Sequence, residues 1–274
     1  MTLKLASIQK PFIVAVIAES TATKCLRQIR SAEENGADAF EINIAQLKEK
    51  ELREIFISTK KPCIASNRRS DFMRLYGYEN LAEANEESRV EKLLRTLETG
   101  AGVIDFELDT FTSKHESPSF GSRAETKYAF KSESKPTQFA THNQTALRQR
   151  RLAQLIKSRG GEVLISCHTQ TRIRQAEILR IVQTMERRGA DLAKVVTHTF
   201  NVGDLANFLG TISEVKNSAR IPFNLMNFGA YSIPGRLLSV AFGSAWVYCR
   251  TGSQRAFAGQ PTIQQAKTFL DDLW

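Results

Sequence analysis

GADLAKVVTHTF, residues 189–200, is the stretch on which the fold turns. A glycine stops a helix, and an apolar run follows at once with a single lysine, Lys194, set inside it. Glycine enters the left-handed conformation that ends a helix at little steric cost, so helix, turn and strand succeed one another here without a linker. Nearly the same junction stands in NGADAFEIN (35–43) and in TGAGVIDFELD (99–109). Three copies of one helix-to-strand turn point to a repeating unit.

Working outward, short Val-, Ile- and Phe-rich runs alternate with helical stretches along the chain, as in PFIVAVIAE, then ATKCLRQIRSAEEN, then ADAFEIN. Strands are predicted at 13–18, 39–43, 63–67, 103–108, 162–168, 192–196, 222–227 and 244–249. Eight strands separated by helices predict an α/β fold of the (β/α)8 TIM-barrel type, with residues 1–274 forming one barrel domain. An open doubly wound sheet would need a glycine-rich phosphate turn after its first strand, and VIAESTATK (16–24) has no glycine. One polar stretch, at about 109–141, breaks the rhythm. Because it follows the fourth strand it would emerge on the catalytic face, either as a surface excursion or as a lid.

The chain has 274 residues, 42% of them hydrophobic, enough for one large core. Its net charge of +9 raises the question of nucleic acid, but the basic residues are scattered. Their one dense run, LRQRRLAQLIKSRGG (147–161), lacks interleaved aromatics and reads as a solvated helix face. The positive balance is better suited to drawing in small anionic substrates. Cys25, Cys63, Cys167 and Cys249 form no CxxC pair, and MTLKLASIQK lacks the apolar core of a signal peptide. No apolar run approaches the roughly 20 residues of a membrane span. The expectation is a reduced, cytoplasmic, soluble protein that binds neither membrane nor nucleic acid. His115, His142 and His198 show no metal-ligand spacing, so no metal site is expected.

In a barrel of this kind chemistry sits at the carboxyl ends of the strands, which makes the polar residues there informative. They are Glu41 and Asn43 on the second strand, Arg68 after the third, Glu107 on the fourth, His168 on the fifth, Lys194 on the sixth and Tyr248 on the eighth. A lone lysine on an apolar strand needs a partner or a task, because an unpaired buried ammonium costs on the order of several kcal/mol. Lys194 and His168 on adjacent strands bring an amine and an imidazole to one pocket mouth, where burial and a neighbouring Arg68 or Arg236 would favour the free amine. A neutral amine attacks a ketone. The iminium that results draws electrons and acidifies the adjacent carbon, and a histidine is suited to take that proton and to protonate a leaving hydroxyl. The lysine itself supplies the electron sink, so no cofactor is needed.

The same residues resemble the type I 3-dehydroquinate dehydratases, Schiff-base (β/α)8 enzymes of the shikimate pathway, over nearly the whole chain. LISCH (164–168) is similar to the family strand that ends in the catalytic histidine, and GADLAKVV (189–196) to the segment carrying its Schiff-base lysine. LMNFGAYSIPGRLLSVAFGSAWVY (225–248) resembles the family's Met-rich strand, arginine and Phe-Gly-Ser. The resemblance therefore implies Lys194 and His168 as the catalytic pair, with Arg236, Gln260 of AFAGQP, Arg68 of CIASNR, Glu41 of FEIN, Met226 and Asn43 binding a small anionic keto-acid substrate. It also implies a homodimer.

The departures lie around that pair. Asn43 stands where the family has arginine, Ala256 where it has serine, and Phe72 where a Glu-Gly-Gly signature begins, with only Asp71 near; Gln170 replaces a phenylalanine and the 109–141 stretch is longer. A site that hydrogen-bonds particular hydroxyls discriminates strongly, so uncompensated losses of this kind cost about several kcal/mol with the original substrate. Dehydration of 3-dehydroquinate is the expected activity. A Schiff-base lyase or aldolase acting on a different keto acid or cyclic ketone, and a non-catalytic metabolite-binding descendant, are the alternatives.

Overall fold

A computed structural model describes residues 4–69, 73, 85–112, 138–169, 172–252 and 259–273. Its strands are β1 (Phe12–Ile17), β2 (Ala39–Asn43), β3 (Cys63–Ser66), β4 (Val103–Glu107), β5 (Glu162–His168), β6 (Leu192–Thr199), β7 (Phe223–Gly229) and β8 (Trp246–Arg250). Each is followed by a helix: α1 (Ala22–Glu34), α2 (Glu49–Ile57), α3 (Glu86–Thr99), α4 (Asn143–Ser158), α5 (Gln175–Arg187), α6 (Val202–Ser218), α7 (Ser232–Ala241) and α8 (Ile263–Leu273).

The strands form one parallel sheet in the order β7-β6-β5-β4-β3-β2-β1-β8. The sheet curls until its ends meet: Ala245 N–H donates to Phe223 O at 2.8 Å, and Leu225 N–H to Ser244 Oγ at 3.1 Å. This is a (β/α)8 TIM barrel. The predicted β2 and β5 agree with the observed bounds, whereas β6 runs on to Thr199 because Thr197 and His198 continue its ladder with Asn227 and Phe228.

The glycine junctions behave as their chemistry requires. Gly36, Gly100 and Gly189 have φ of +96°, +117° and +90°, values that other residues reach only with strain. Each turn sends the chain directly into a strand that is buried on both faces. Alternation then sorts the side chains. One parity, including Phe40, Ile42, Ile104, Phe106, Ile165, Val195 and Leu225, packs outward beneath the helices. The other parity packs inward, where Phe12, Val14, Ala39, Ile64, Val103, Leu164, Leu192 and Trp246 fill the lower barrel.

A short 3-10 turn, Leu5–Ser7, closes the amino-terminal end. Leu5 is 1% exposed, and the Glu162 carboxylate accepts the backbone N–H of Leu5 at 2.7 Å and of Ala6 at 3.0 Å. The basic run lies on α4 with Arg148, Arg150, Arg151 and Lys157 exposed, the solvated face expected of it. All four cysteines are free and buried. Among the described residues no helix is long and apolar enough to cross a membrane.

Candidate active site

The inward parity turns from apolar to polar toward the carboxyl ends of the strands. On β2 it passes from Ala39 to Glu41 and Asn43, and on β5 from Leu164 to Ser166 and His168. On β6 it passes from Leu192 to Lys194. Glu41, Asn43, Arg68, His168, Lys194, Met226, Arg236 and Gln260 all line one pocket there, together with Tyr248, Phe228 and Met73. The fold therefore brings every singled-out binding and catalytic candidate to a single cavity.

Lys194 is 5% exposed and is not alone. Its Nζ lies 2.8 Å from Glu41 Oε2, 3.6 Å from Asp105 Oδ2 and 4.2 Å above the ring of Tyr248. The sequence suggested arginines as the electrostatic neighbours of this amine; carboxylates and an aromatic face stand directly beside it, and Arg68 shares those carboxylates with it. Glu41 joins the lysine to a wider network. Its Oε1 accepts from Arg68 Nη2 at 3.3 Å, while the same guanidinium pairs with Asp105 and lies 3.4 Å from Glu107. Arg68 Nη1 also donates to Ser166 Oγ at 3.0 Å, and Ser166 donates to Asp105 Oδ1 at 2.7 Å. Arg89, reaching in from α3, donates to Glu107 Oε2 at 2.8 Å and to Thr110 Oγ1 at 3.1 Å.

Arg68, Arg89 and Lys194 are thus interleaved with Glu41, Asp105 and Glu107, all of them buried. Burial opposes ionisation of Glu41, but the Lys194 and Arg68 charges outweigh it and hold the carboxyl down to about 2. Glu107 follows the same logic, with burial overcome by Arg89, Arg68 and Arg69, and also falls to about 2. Asp105 goes the other way: burial raises it, helped by the negative charge of Glu41, against the pull of Arg68 and Lys194.

His168 is 3% exposed and surrounded by cations. Burial, and then the charges of Arg68, Lys194, Arg69 and Arg236, push its imidazolium well below the usual range. The ring is accordingly neutral near pH 7, the form a general base must have. Its Nδ1 and its backbone N–H both meet Gln138 Oε1 at 2.8 Å.

Arg236 enters from α7. Its Nε donates to Asn227 O at 3.0 Å and its guanidinium lies 4.9 Å from the Phe228 ring centre, which orients a cation at 2% exposure. Gly235 beside it must lack a side chain, since a Cβ there would lie 2.5 Å from Asn227 Oδ1. Gln260 Oε1 is buried with no hydrogen-bond partner among the described residues. Met226 offers a thioether at 4% exposure. Asn43 is occupied locally: Oδ1 accepts the Ala45 N–H at 3.0 Å, and Nδ2 donates to Met73 Sδ at 3.1 Å.

Asp105, Arg89, Met73 and Gln138 were not singled out from the sequence. Asp105 had a signal, because it precedes Glu107 by two residues and so shares its face. Phe72, Asp71, Gln170 and Ala256, and most of the 109–141 stretch, lie outside the described residues.

Residues 140–273 match the family described as Type I 3-dehydroquinase. That segment of the chain is similar to the family. A curated 3-dehydroquinate dehydratase of Aromatoleum aromaticum is 34% identical over 97 residues, which is 35% of this chain and 37% of that protein. One of Albidiferax ferrireducens is 32% identical over 85 residues, 31% of this chain and 32% of the relative. The chain thus matches about a third of the length of these curated dehydroquinases.

In three dimensions the likeness extends over the whole barrel. The type I 3-dehydroquinate dehydratase of Clostridium difficile, solved with covalently modified comenic acid, superposes with a TM-score of 0.74 at 17% identity, covering 98% of this chain and 94% of that one. The dehydratase of Geobacillus kaustophilus gives 0.75 at 19% identity, covering 99% and 95%. At such identities the agreement is one of fold. The sequence match to the dehydroquinase family begins just ahead of α4 and takes in His168, Lys194, Met226, Arg236 and Gln260.

Proposed function

We propose that the chain is a Schiff-base hydro-lyase that converts 3-dehydroquinate into 3-dehydroshikimate. The observation that carries the reading is the convergence of Lys194, His168 and Arg236 on one pocket of a barrel whose C-terminal half matches the dehydroquinase family. Arg236 pairs with the substrate carboxylate, a charge-assisted contact with a planar, two-toothed geometry. Gln260 lines the same pocket, where the NH2 end of its amide can donate to that carboxylate.

The amine form of Lys194 adds to the ketone, and loss of one water leaves an iminium on Nζ. His168 then takes the proton from the carbon next to the iminium, and the electron pair moves into an enamine. That pair returns to expel the hydroxyl on the next carbon, which leaves as water with the proton carried by His168. A water molecule finally hydrolyses the conjugated iminium and frees the lysine. Substrate has become product plus one water, with no net gain or loss of electrons. The Clostridium difficile relative's covalently modified ligand is in keeping with a site that traps ligands covalently.

The engagement of Asn43 with Ala45 and Met73 favours one variant of this reading: the same chemistry on a cyclic keto acid with different hydroxyls. Soluble, cytoplasmic action as a homodimer completes the proposal.

Trapping tests it. With 3-dehydroquinate and borohydride, reduction of the iminium gives a stable secondary amine, which peptide mapping should locate at Lys194. Lys194→Ala should give no adduct and no turnover while retaining the far-ultraviolet circular dichroism of the barrel. An adduct on another lysine, or none with any cyclic keto acid, overturns the reading.

A further inference from the structure

We propose that Gln138 is a positioning residue that sets which ring nitrogen of His168 carries the proton. It lies between β4 and α4, two residues ahead of the segment that matches the dehydroquinase family. The inference rests on His168 as the proton-transfer group of the reaction proposed above.

The backbone N–H of His168 can only donate, and it points at a Gln138 side-chain atom 2.8 Å away. That atom must therefore be the amide oxygen, since the NH2 end would set two donors against each other. The same oxygen lies 2.8 Å from His168 Nδ1. An amide oxygen has no hydrogen to give, so Nδ1 must carry one. In the neutral ring the basic lone pair then resides on Nε2. One buried oxygen thus determines the tautomer, and through the backbone bond it also fixes the base of the side chain it reads.

The surroundings keep this arrangement in place. Gln138 is 1% exposed and cannot rotate its oxygen away without burying an unmet N–H of His168. Its partner is a neutral amide, not a carboxylate, so it orders the ring without lending a negative charge to the imidazolium. Among the described residues, the charges of Arg68, Lys194, Arg69 and Arg236 disfavour that cation as well. The site therefore favours the neutral ring, the form left once the proton has passed to the leaving hydroxyl.

Two variants and one spectrum test the assignment. Nitrogen-15 spectra of the ring in the full-length protein need no substrate; they should show protonated Nδ1 and unprotonated Nε2 at neutral pH. Gln138→Glu keeps the acceptor and adds a charge, so the acid limb of kcat/KM should move up by about one pH unit or more. Gln138→Leu should mix the two tautomers and lower kcat by about tenfold or more with KM little changed, within the range of a misaligned acid–base group. Protonated Nε2 in the wild type overturns the proposal, as does a Glu variant that leaves both spectrum and pH profile unmoved. Failure to turn over 3-dehydroquinate would instead count against the activity, because the ring spectrum is read without it.

Discussion

The two halves of the barrel contribute differently to one pocket. From β5 to β8 come the groups with chemical reach: His168, Lys194, Met226 and the α7 arginine, Arg236. From β2 to β4 come Glu41, Arg68, Asp105 and Glu107, which pair chiefly with one another, with Lys194 and with Arg89. The dehydroquinase family match coincides with the first set and stops short of the second. The difference teaches that the charges balancing Lys194 come from a part of the chain that the family match leaves out.

Removing a member of the cradle should break this contrast most severely. Arg68→Met leaves Asp105, Glu107 and Glu41 without their shared cation, and loss of one partner from a buried ionic cluster costs about 3–5 kcal/mol of stability. Urea denaturation should show it, and a loss under about 1 kcal/mol would mean the network is open to solvent and contributes no more than an exposed pair. On the other side, Arg236→Ala should leave the fold nearly as stable yet weaken carboxylate ligands by about 2–4 kcal/mol. Titration with a carboxylate ligand and with its neutral amide decides: an equal loss for both would remove Arg236 from carboxylate recognition.

A gentler probe is acid. Glu41 and Glu107 sit near 2 in the fold and at 4.5 when free, so the folded state binds fewer protons than the unfolded one below about pH 4.5. Their stabilisation is complete above that range and lost as pH falls toward 2. Asp105, shifted upward, offsets part of this because its contribution has the opposite sign. Between about pH 7 and pH 4 the net loss should be on the order of 1 kcal/mol, steepening below. Unchanged denaturation midpoints down to about pH 3 would show that the carboxylates are not paired as described.

The strands, and the placing of Lys194 and His168 at one pocket, were legible in the sequence because they rest on local signals. A glycine stop followed by an apolar run marks a βα junction wherever it occurs, and a lysine inside such a run is conspicuous by its cost. The cradle was only half legible. Asp105 sits inside VIDFEL, and its role appears only when the period of two is followed from Glu107. Arg89 reads as one more charge on an amphipathic helix, and only the tertiary path of α3 buries it against Glu107. Gln138 carries no sequence signal at all, since its partner His168 lies 30 residues away and its surroundings have no periodicity.

The amino-terminal plug has a consequence for the order in which the chain assembles. Leu5 is tied to Glu162 across 157 residues, and β1 pairs with β8, so Phe12 lies opposite Trp246. Contacts this distant in sequence bring no return until most of the polypeptide is available, and the long loops they close slow folding. During synthesis the first strand must wait, with one edge unsatisfied, for the last strand to leave the ribosome. The ring therefore closes late, and until it does that open edge is a place where another chain could pair.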